Sequence, residues 1–364
     1  MPVSDDTVVV GAGIGGLATA LALSKRNTTV KVVEQAEKLL EVGAGIQISA
    51  NGFRVLSALG TGAACLKAAV QARAVELIDH KSGQTVCSLD LEKYNNGLTH
   101  LMMHRADLIN ILFKACIEAG VSFSFGERLL SLSNDPKPEI VTTAQRYSPD
   151  LVICADGIHS IGRTSILGQA APFFTGHVAW RALVSNTNDH PDVARVYMGP
   201  KKHVVTYPIR NRSVINLVLI EERSTWTKES WSERGDAQTL QRTFSEFNLE
   251  IGELLSNVEV PYLWGLFRHP VAQKWHAGGI ALLGDAAHPT LPFMAQGANL
   301  ALEDAWVLAK CLAETSTPGS GLQKYQVTRK ERVERIISVA EGNAWKYHLT
   351  FPPLKWAAHK TMWA

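Results

Sequence analysis

Three glycines at positions 11, 13 and 16, directly after the β-branched run Thr7-Val8-Val9-Val10, constrain this chain more than any other feature. Leu17 to Ser24 reads as a helix, so the segment spells strand, tight turn, helix. In that frame Gly11 permits the sharp turn and Gly13 lets a pyrophosphate approach the backbone. Gly16 lets helix and strand pack closely. Ile14 and Gly15 open the helix, whose free N–H groups and positive dipole end face the phosphates. A second strand, Val30 to Val33, runs into Glu34 and Gln35. An acidic side chain about 20 residues beyond the glycines is placed to hold the adenosine ribose hydroxyls. The glycine spacing alone is common, but strand–turn–helix–strand–Glu is a dinucleotide site. Whether NAD or FAD sits there is open at this point.

A chain of 364 residues suggests two domains, or one large α/β unit carrying an inserted second one. Its 46% hydrophobic residues allow an ample core, and a net charge of +2 gives no case for nucleic acid or an acidic membrane surface. The cysteines, at 65, 87, 116, 154 and 311, are scattered and odd in number, which reads as reduced thiols in a reducing compartment. No Cys-x-x-Cys pair occurs, which argues against a flavin disulfide reductase. The N-terminus shows no signal-peptide pattern, and no apolar run reaches the ~20 residues of a membrane helix. The expectation is a cytoplasmic protein without membrane insertion, a monomer or homodimer.

Along the chain, residues 7–34 form the first βαβ unit, followed by a glycine-rich loop or short strand around Gly45 and Gln47. Residues 74–80 and 84–90 read as paired strands about a Lys81-Ser82-Gly83 turn, and Ala106 to Ala119 as a helix stopped by Gly120. From 177 to 270 the character changes to β-rich runs broken by a polar segment. The predicted organisation is a FAD- or NAD-binding part over 1–175, a β-rich substrate domain over 176–270, and a return to the first part over 271–364. The return begins with the buried strand Gly279 to Leu283 and continues into long helices at about 297–313 and 322–347.

Further segments narrow the cofactor. Asp156-Gly157 follows the apolar strand ending at Cys154, and Gly284-Asp285 follows another strand. Asp285 is well placed to accept a hydrogen bond from a ribityl hydroxyl. The helix opening at Gly297-Ala298-Asn299 aims N–H groups at an electron-rich ring edge, as the N1–C2 region of a reduced isoalloxazine presents.

With these segments in order, the chain resembles the single-component FAD-dependent aromatic hydroxylases over almost its whole length. It is most similar to the branch holding salicylate hydroxylase, 3-hydroxybenzoate 6-hydroxylase and 6-hydroxynicotinate 3-monooxygenase. The resemblance implies a Rossmann-like α/β FAD-binding domain (GR2-type, para-hydroxybenzoate-hydroxylase-like) with an inserted mostly β domain and C-terminal helices. It implies non-covalent FAD, NADH or NADPH as transient reductant, and dioxygen activated as a flavin C4a-hydroperoxide that hydroxylates a phenolic aromatic acid. By position, Gly11 to Gly16, Glu34, Gln35, Gly45, Arg105, Asp156, Gly157, Asp285, Pro292 and Gly297 to Asn299 would contact FAD. Asp156 would also serve NAD(P)H.

His203 and Tyr207 lie four apart in a strand-like run, so both point to one face. They match that branch's His-x-x-x-Tyr, where the pair contacts the substrate and helps form the phenolate. The same spacing also suits two residues lining a half-buried sheet. Pro292 and Phe293 would shape the pocket, together with Gln47, which stands where some members carry His. Arg181 is either a partner for a substrate carboxylate or an inter-domain salt bridge. His100 and His104 have zinc-like i, i+4 spacing but no third ligand nearby, and His288 reads as structural or near the flavin. A same-fold epoxidase or N-hydroxylase shares these fingerprints. A flavin halogenase would need Trp-x-Trp-x-Ile-Pro, which is missing. An NAD-dependent dehydrogenase leaves the two later segments unexplained, and a non-catalytic FAD-binding protein would bind flavin without substrate-stimulated turnover.

Overall fold

The protein is described by a computed structural model over residues 7–39, 44–94, 99–226 and 234–349. Thr7–Val10 forms the centre of a six-stranded sheet, flanked by Leu151–Cys154 on one side and Val30–Val33 on the other. Ile280–Leu282 and Ser122–Ser124 extend it in parallel, and the short antiparallel His276–Ala277 closes one edge. Thr7–Val10 and Leu151–Cys154 are buried along their whole length, as a parallel sheet covered on both faces requires. The helices Ile14–Ser24 and Gly297–Ala313 pack together so tightly that a Cβ on Gly15 would stand 3.2 Å from that of Ala301. This order brings the glycine turn, Asp156 and Asp285 to the carboxyl ends of adjacent strands, where open α/β sheets bind ligands.

The second body is a seven-stranded sheet in the order Tyr262–Arg268, Phe173–Ser185, Val214–Glu222, Lys202–Ile209, Val193–Gly199, Ala74–Asp79, Thr85–Asp90. The 74–90 hairpin, assigned by position to the 1–175 part, completes the middle sheet instead. Ala74–Asp79 runs parallel to Val193–Gly199 over six paired residues. An isolated hairpin is marginal in water, and this edge gives it a partner. The polar segment contributes Ala237–Thr243 and Leu249–Ser256, helices that cover the outer sheet face through Leu240, Phe244, Ile251 and Leu255. The inner face turns toward the nucleotide-binding part.

Both long C-terminal helices are present, Gly297–Ala313 and Pro318–Tyr347. The glycine-rich stretch after residue 43 becomes the strand Gly45–Ile48, paired antiparallel with Leu101–His104. All five cysteines are free. No helix among the described residues is long and apolar enough to cross a membrane.

Candidate active site

At the glycine turn the three glycines separate by role. Gly11 has φ +101°, and a Cβ there would meet the Ala155 carbonyl oxygen at 2.5 Å. A Cβ on Gly16 would collide with the Gly11 carbonyl oxygen. Gly13 alone faces open space, with nothing within 4 Å of a built Cβ. The helix it caps has no side-chain cap and no acidic residue in its first turn. Its leading N–H groups therefore retain their preference for an anion. Glu34 stands beside this turn, accepting hydrogen bonds from the backbone N–H of Ala12 (2.7 Å) and Ala36 (2.9 Å). Gln35, next to it, is exposed.

Next to the glycine turn stands Asp156, whose Cα would be 3.5 Å from a Cβ on Gly11, and beyond it lie Arg105 and the 3₁₀ turn Gly284–Ala286. The Asp285 side chain is accessible to solvent yet walled by protein on its other sides. That enclosure raises its carboxyl above the usual range, with His288 and Arg105 opposing the shift. Asp156 caps the helix Ile161–Leu167 through Oδ2, which accepts from Ile161 N (2.8 Å) and Gly162 N (3.3 Å). Its Oδ1 is buried without a partner among the described residues. Gly157 follows with φ +76°, a conformation that favours glycine. Arg163, from the same segment, donates to the carbonyls of Ala286 (3.1 Å), Ala287 (3.1 Å) and Pro270 (2.7 Å). It thereby pins the turn that carries Asp285. The Gln296 side chain also leaves the next helix uncapped, so the N–H groups of Gly297 and Ala298 open toward the crevice.

Behind this turn lies a buried ionic network that the sequence did not suggest. His288 Nε2 and Asp304 Oδ2 are 2.6 Å apart, and Arg329 Nε donates to Asp304 Oδ1 (2.7 Å). Arg329 also pairs with Glu303, which accepts from Arg332 (2.7 and 2.8 Å) and Asn51 (2.6 Å). Asp304 further receives the Gly284 N–H at 3.2 Å. His288 is thus bound into this network and also acts electrostatically on Asp285.

The middle sheet faces the crevice with a floor that register alone defines. His203 pairs with Ile220, Val205 with Val218 and Tyr207 with Asn216. On the neighbouring strand Ala179 pairs with Ile220 and Arg181 with Val218. Directly paired residues share a face. His203, Val205, Tyr207, Asn216, Val218, Ile220 and Arg181 therefore line one surface. His203 and Tyr207 stand about 13 Å apart along the strand, with the apolar residues between them. Phe293, in the 3₁₀ turn Pro292–Met294, packs on Val218, Ile220 and Trp264 and closes this floor from above. Gly45 and Tyr207 meet so closely that a Cβ on Gly45 would lie 2.6 Å from Tyr207 Cε2. The Gly45 N–H donates to Asn216 Oδ1 at 2.6 Å.

Arg181 makes no salt bridge among the described residues. Its guanidinium stacks 4.9 Å from the Trp264 ring centre, and its Nε is buried without a partner. Burial lowers its pKa, Tyr207 opposes this, and Arg105 lowers it further. Two arginines facing one site with a spare donor favour an anionic ligand.

His203 is buried, and its pKa is driven well below the ordinary histidine value by desolvation, then by His348 and His177. Its Nδ1 lies 2.7 Å from Nε2 of His348, the residue directly after the last helix. His348 Nδ1 is 2.9 Å from Glu222 Oε1. His177 sits alongside, its Nδ1 2.9 Å from the Thr175 carbonyl oxygen.

Asn299 is fully buried, accepting from Ser49 N (3.1 Å) and donating to Gln47 O (3.1 Å) and Ala295 O (2.8 Å). Its side chain clamps elements together, while its backbone N–H stays in the uncapped first turn of the helix. Gln47 lies on a strand and bonds His100 Nε2 through Oε1 (3.1 Å). His104 Nδ1 accepts the Ala106 N–H (3.2 Å) and so caps the helix that follows. His348 and Glu222 had no motif around them; only the folded chain brings them to His203.

Residues 5–340 match the FAD binding domain family. The chain is 32% identical over 360 residues to 3-amino-4-hydroxybenzoate 2-monooxygenase PtnB3 of Streptomyces platensis, covering 95% of this chain and 89% of that one. It is also 32% identical over 364 residues to 3-hydroxybenzoate 6-hydroxylase of Polaromonas naphthalenivorans, covering 95% and 88%. Among solved structures, Klebsiella pneumoniae HpxO with FAD and uric acid superposes with a TM-score of 0.87 at 25% identity, covering 98% of this chain and 92% of that one. A salicylate hydroxylase substrate complex gives 0.85 at 24%, covering 100% and 93%, which speaks for the fold alone.

Proposed function

This chain belongs to the FAD binding domain family and is an FAD-dependent aromatic monooxygenase; from that premise we propose that it hydroxylates a phenolic aromatic acid of the salicylate or 3-hydroxybenzoate kind. The observation that carries this reading is Arg181, whose Nε has no partner among the described residues, on the same sheet face as Tyr207 and His203. A carboxylate would satisfy Arg181, an apolar ring would lie on Val205 and Val218, and a phenol would reach His203. Such a face suits a charged aromatic acid better than a purely apolar epoxidase substrate.

The residues at the crevice fit FAD. Gly13 leaves room for its pyrophosphate, Glu34 stands at the adenosine end, and Asp285 faces the site with its carboxylate accessible. Bound FAD supplies the redox chemistry, taking two electrons from NADH or NADPH, activating dioxygen and delivering one oxygen atom to the ring. The protein's own work is to orient the acid on Arg181, to exclude water with Phe293, and to take the phenolic proton at His203. Burial lowers the pKa of that imidazole, which leaves one ring nitrogen as an acceptor but disfavours a lasting imidazolium, so the proton has to pass onward. Loss of the proton makes the ring more nucleophilic toward an electrophilic oxygen.

The direct test is to add 3-hydroxybenzoate, salicylate and 3-amino-4-hydroxybenzoate to the holoenzyme with NADH or NADPH. At least one acid is expected to stimulate coenzyme oxidation and to yield a product one oxygen atom heavier. Stimulation by none of them, or by their uncharged amides equally well, would refute the substrate class. At the cofactor end, Asp285→Ala is expected to purify largely as apoprotein, read from flavin absorbance per protein. Full occupancy in that variant would remove Asp285 from the FAD contacts.

A further inference from the structure

We propose that His203, His348 and Glu222 form a proton path from the aromatic pocket to solvent, with the C-terminal end of the last helix supplying its middle member. The inference rests on the phenolic substrate proposed above, but the wiring is defined by the protein alone. Glu222 is a carboxylate that only accepts, so the hydrogen in its 2.9 Å contact belongs to His348 Nδ1. In a neutral His348 the other nitrogen, Nε2, is then an acceptor. The hydrogen in the 2.7 Å contact must therefore come from His203 Nδ1. That leaves the His203 Nε2 lone pair, which no described residue engages, on the ring that packs against Phe293. One end of the path is thus a base in the pocket. The other is Glu222, whose side chain is 39% exposed.

The charged and titratable groups packed around the path are consistent with neutral rings. His177 faces His348 with ring centres 5.6 Å apart, and its own Nδ1 is committed to the Thr175 carbonyl. Tyr347 lies against His203 at 5.4 Å, its hydroxyl pushed up to about 12 by burial. Burial lowers the His348 pKa, Glu222 opposes this, and His177 lowers it again. His177, Glu222 and His348 also place ligand atoms within 4.8 Å of one another. However, both nitrogens of His348 and Nδ1 of His177 are already in hydrogen bonds, which favours proton transfer over a cation site.

The transfer moves one proton and no electrons. The phenol O–H bond breaks as an N–H bond forms at His203 Nε2. The His203 Nδ1 proton passes to His348 Nε2, the His348 Nδ1 proton to Glu222, and from there to water. A phenolate remains in the pocket. Reprotonation of the product along the same path restores the tautomers. The path makes the end of the last helix necessary for proton exit although it touches no reacting atom, so His348 and Glu222 are positioning and relay groups.

His348→Gln is the discriminating variant, because glutamine can keep both hydrogen bonds yet cannot pass a proton. With 3-hydroxybenzoate and salicylate as probes, H348Q should keep its FAD and bind the probe within about twofold of the parent enzyme. Phenolate formation and proton release, followed in stopped flow with a pH indicator, should slow at least about 10-fold. Glu222→Gln should slow release in the same direction, and added imidazole should restore it in His348→Ala. Proton release at the parent rate in FAD-loaded H348Q would overturn the path. An independent measurement needs no substrate: ¹⁵N NMR of the holoenzyme should find His203 and His348 each protonated on Nδ1. A proton on His203 Nε2 would overturn the path. If neither probe perturbs the flavin spectrum of the parent enzyme, the substrate class fails, and the tautomers still decide the path.

Discussion

Asp304→Asn is expected to lower the stability of the fold by about 3–5 kcal/mol, the usual cost of removing one partner from a buried ion pair. Asp304 is fully buried, and its carboxylate is shared by Arg329, His288 and the Gly284 N–H. Asparagine is nearly isosteric but neutral, so Arg329 would keep its desolvation cost and lose half of its compensation. Glu303 remains beside it but is itself divided between Arg332 and Asn51. The pH dependence has a definite sign. Burial raises the Asp304 pKa, but His288 and Arg329 together outweigh it, leaving the folded-state value below the ordinary 3.8. A depressed carboxyl stabilises the fold above its unfolded-state value and loses that contribution as pH falls through the folded-state value. The stability gap between parent and D304N, read from urea midpoints, should therefore be full at neutral pH and shrink below about 3.8. An unchanged midpoint at neutral pH would contradict the network's role. Because Gly284 and His288 flank Asp285, the variant should also lose FAD when still folded.

Arg181→Met should raise KM for the hydroxybenzoate substrate at least about 30-fold, with a smaller change in kcat. Truncating one partner of a buried, hydrogen-bonded charge pair costs about 2–5 kcal/mol, and 1.4 kcal/mol is a factor of ten in affinity. Methionine keeps an unbranched apolar side chain beside Trp264 but removes the guanidinium stacked on it and the unpartnered Nε. The informative comparison pairs 3-hydroxybenzoate with 3-hydroxybenzamide. The parent enzyme should favour the acid strongly, and R181M should not. A variant that still discriminates acid from amide would return Arg181 to a packing role. FAD content should stay unchanged, since the guanidinium acts at the sheet floor rather than at the glycine turn.

The nucleotide-binding half was legible because its determinants are local. Gly11 and Gly16 are required by contacts with Ala155 and with each other, and Glu34 ends the strand beside their turn. Each requirement involves neighbours in one βαβ unit or at the end of an adjacent strand. Much less of the pocket could be read that way. Two-residue periodicity put His203 and Tyr207 on one face, and the register bears that out. Arg181 stayed ambiguous, because a lone arginine in a strand carries no sign of what it lacks. The helix start at Asn299 was legible, but the side-chain clamp to Ser49, Gln47 and Ala295 was not.

The glycine turn, the acidic strand ends and the alternation of the β runs were therefore settled by linear order, because backbone conformation and strand period depend on near neighbours. The seven-strand sheet with its borrowed 74–90 hairpin, the Asp304 network and the approach of His348 to His203 across 145 positions were decided by packing. Those arrangements depend on desolvation and pairing between residues that only the folded chain brings together, and no spacing along the chain records them.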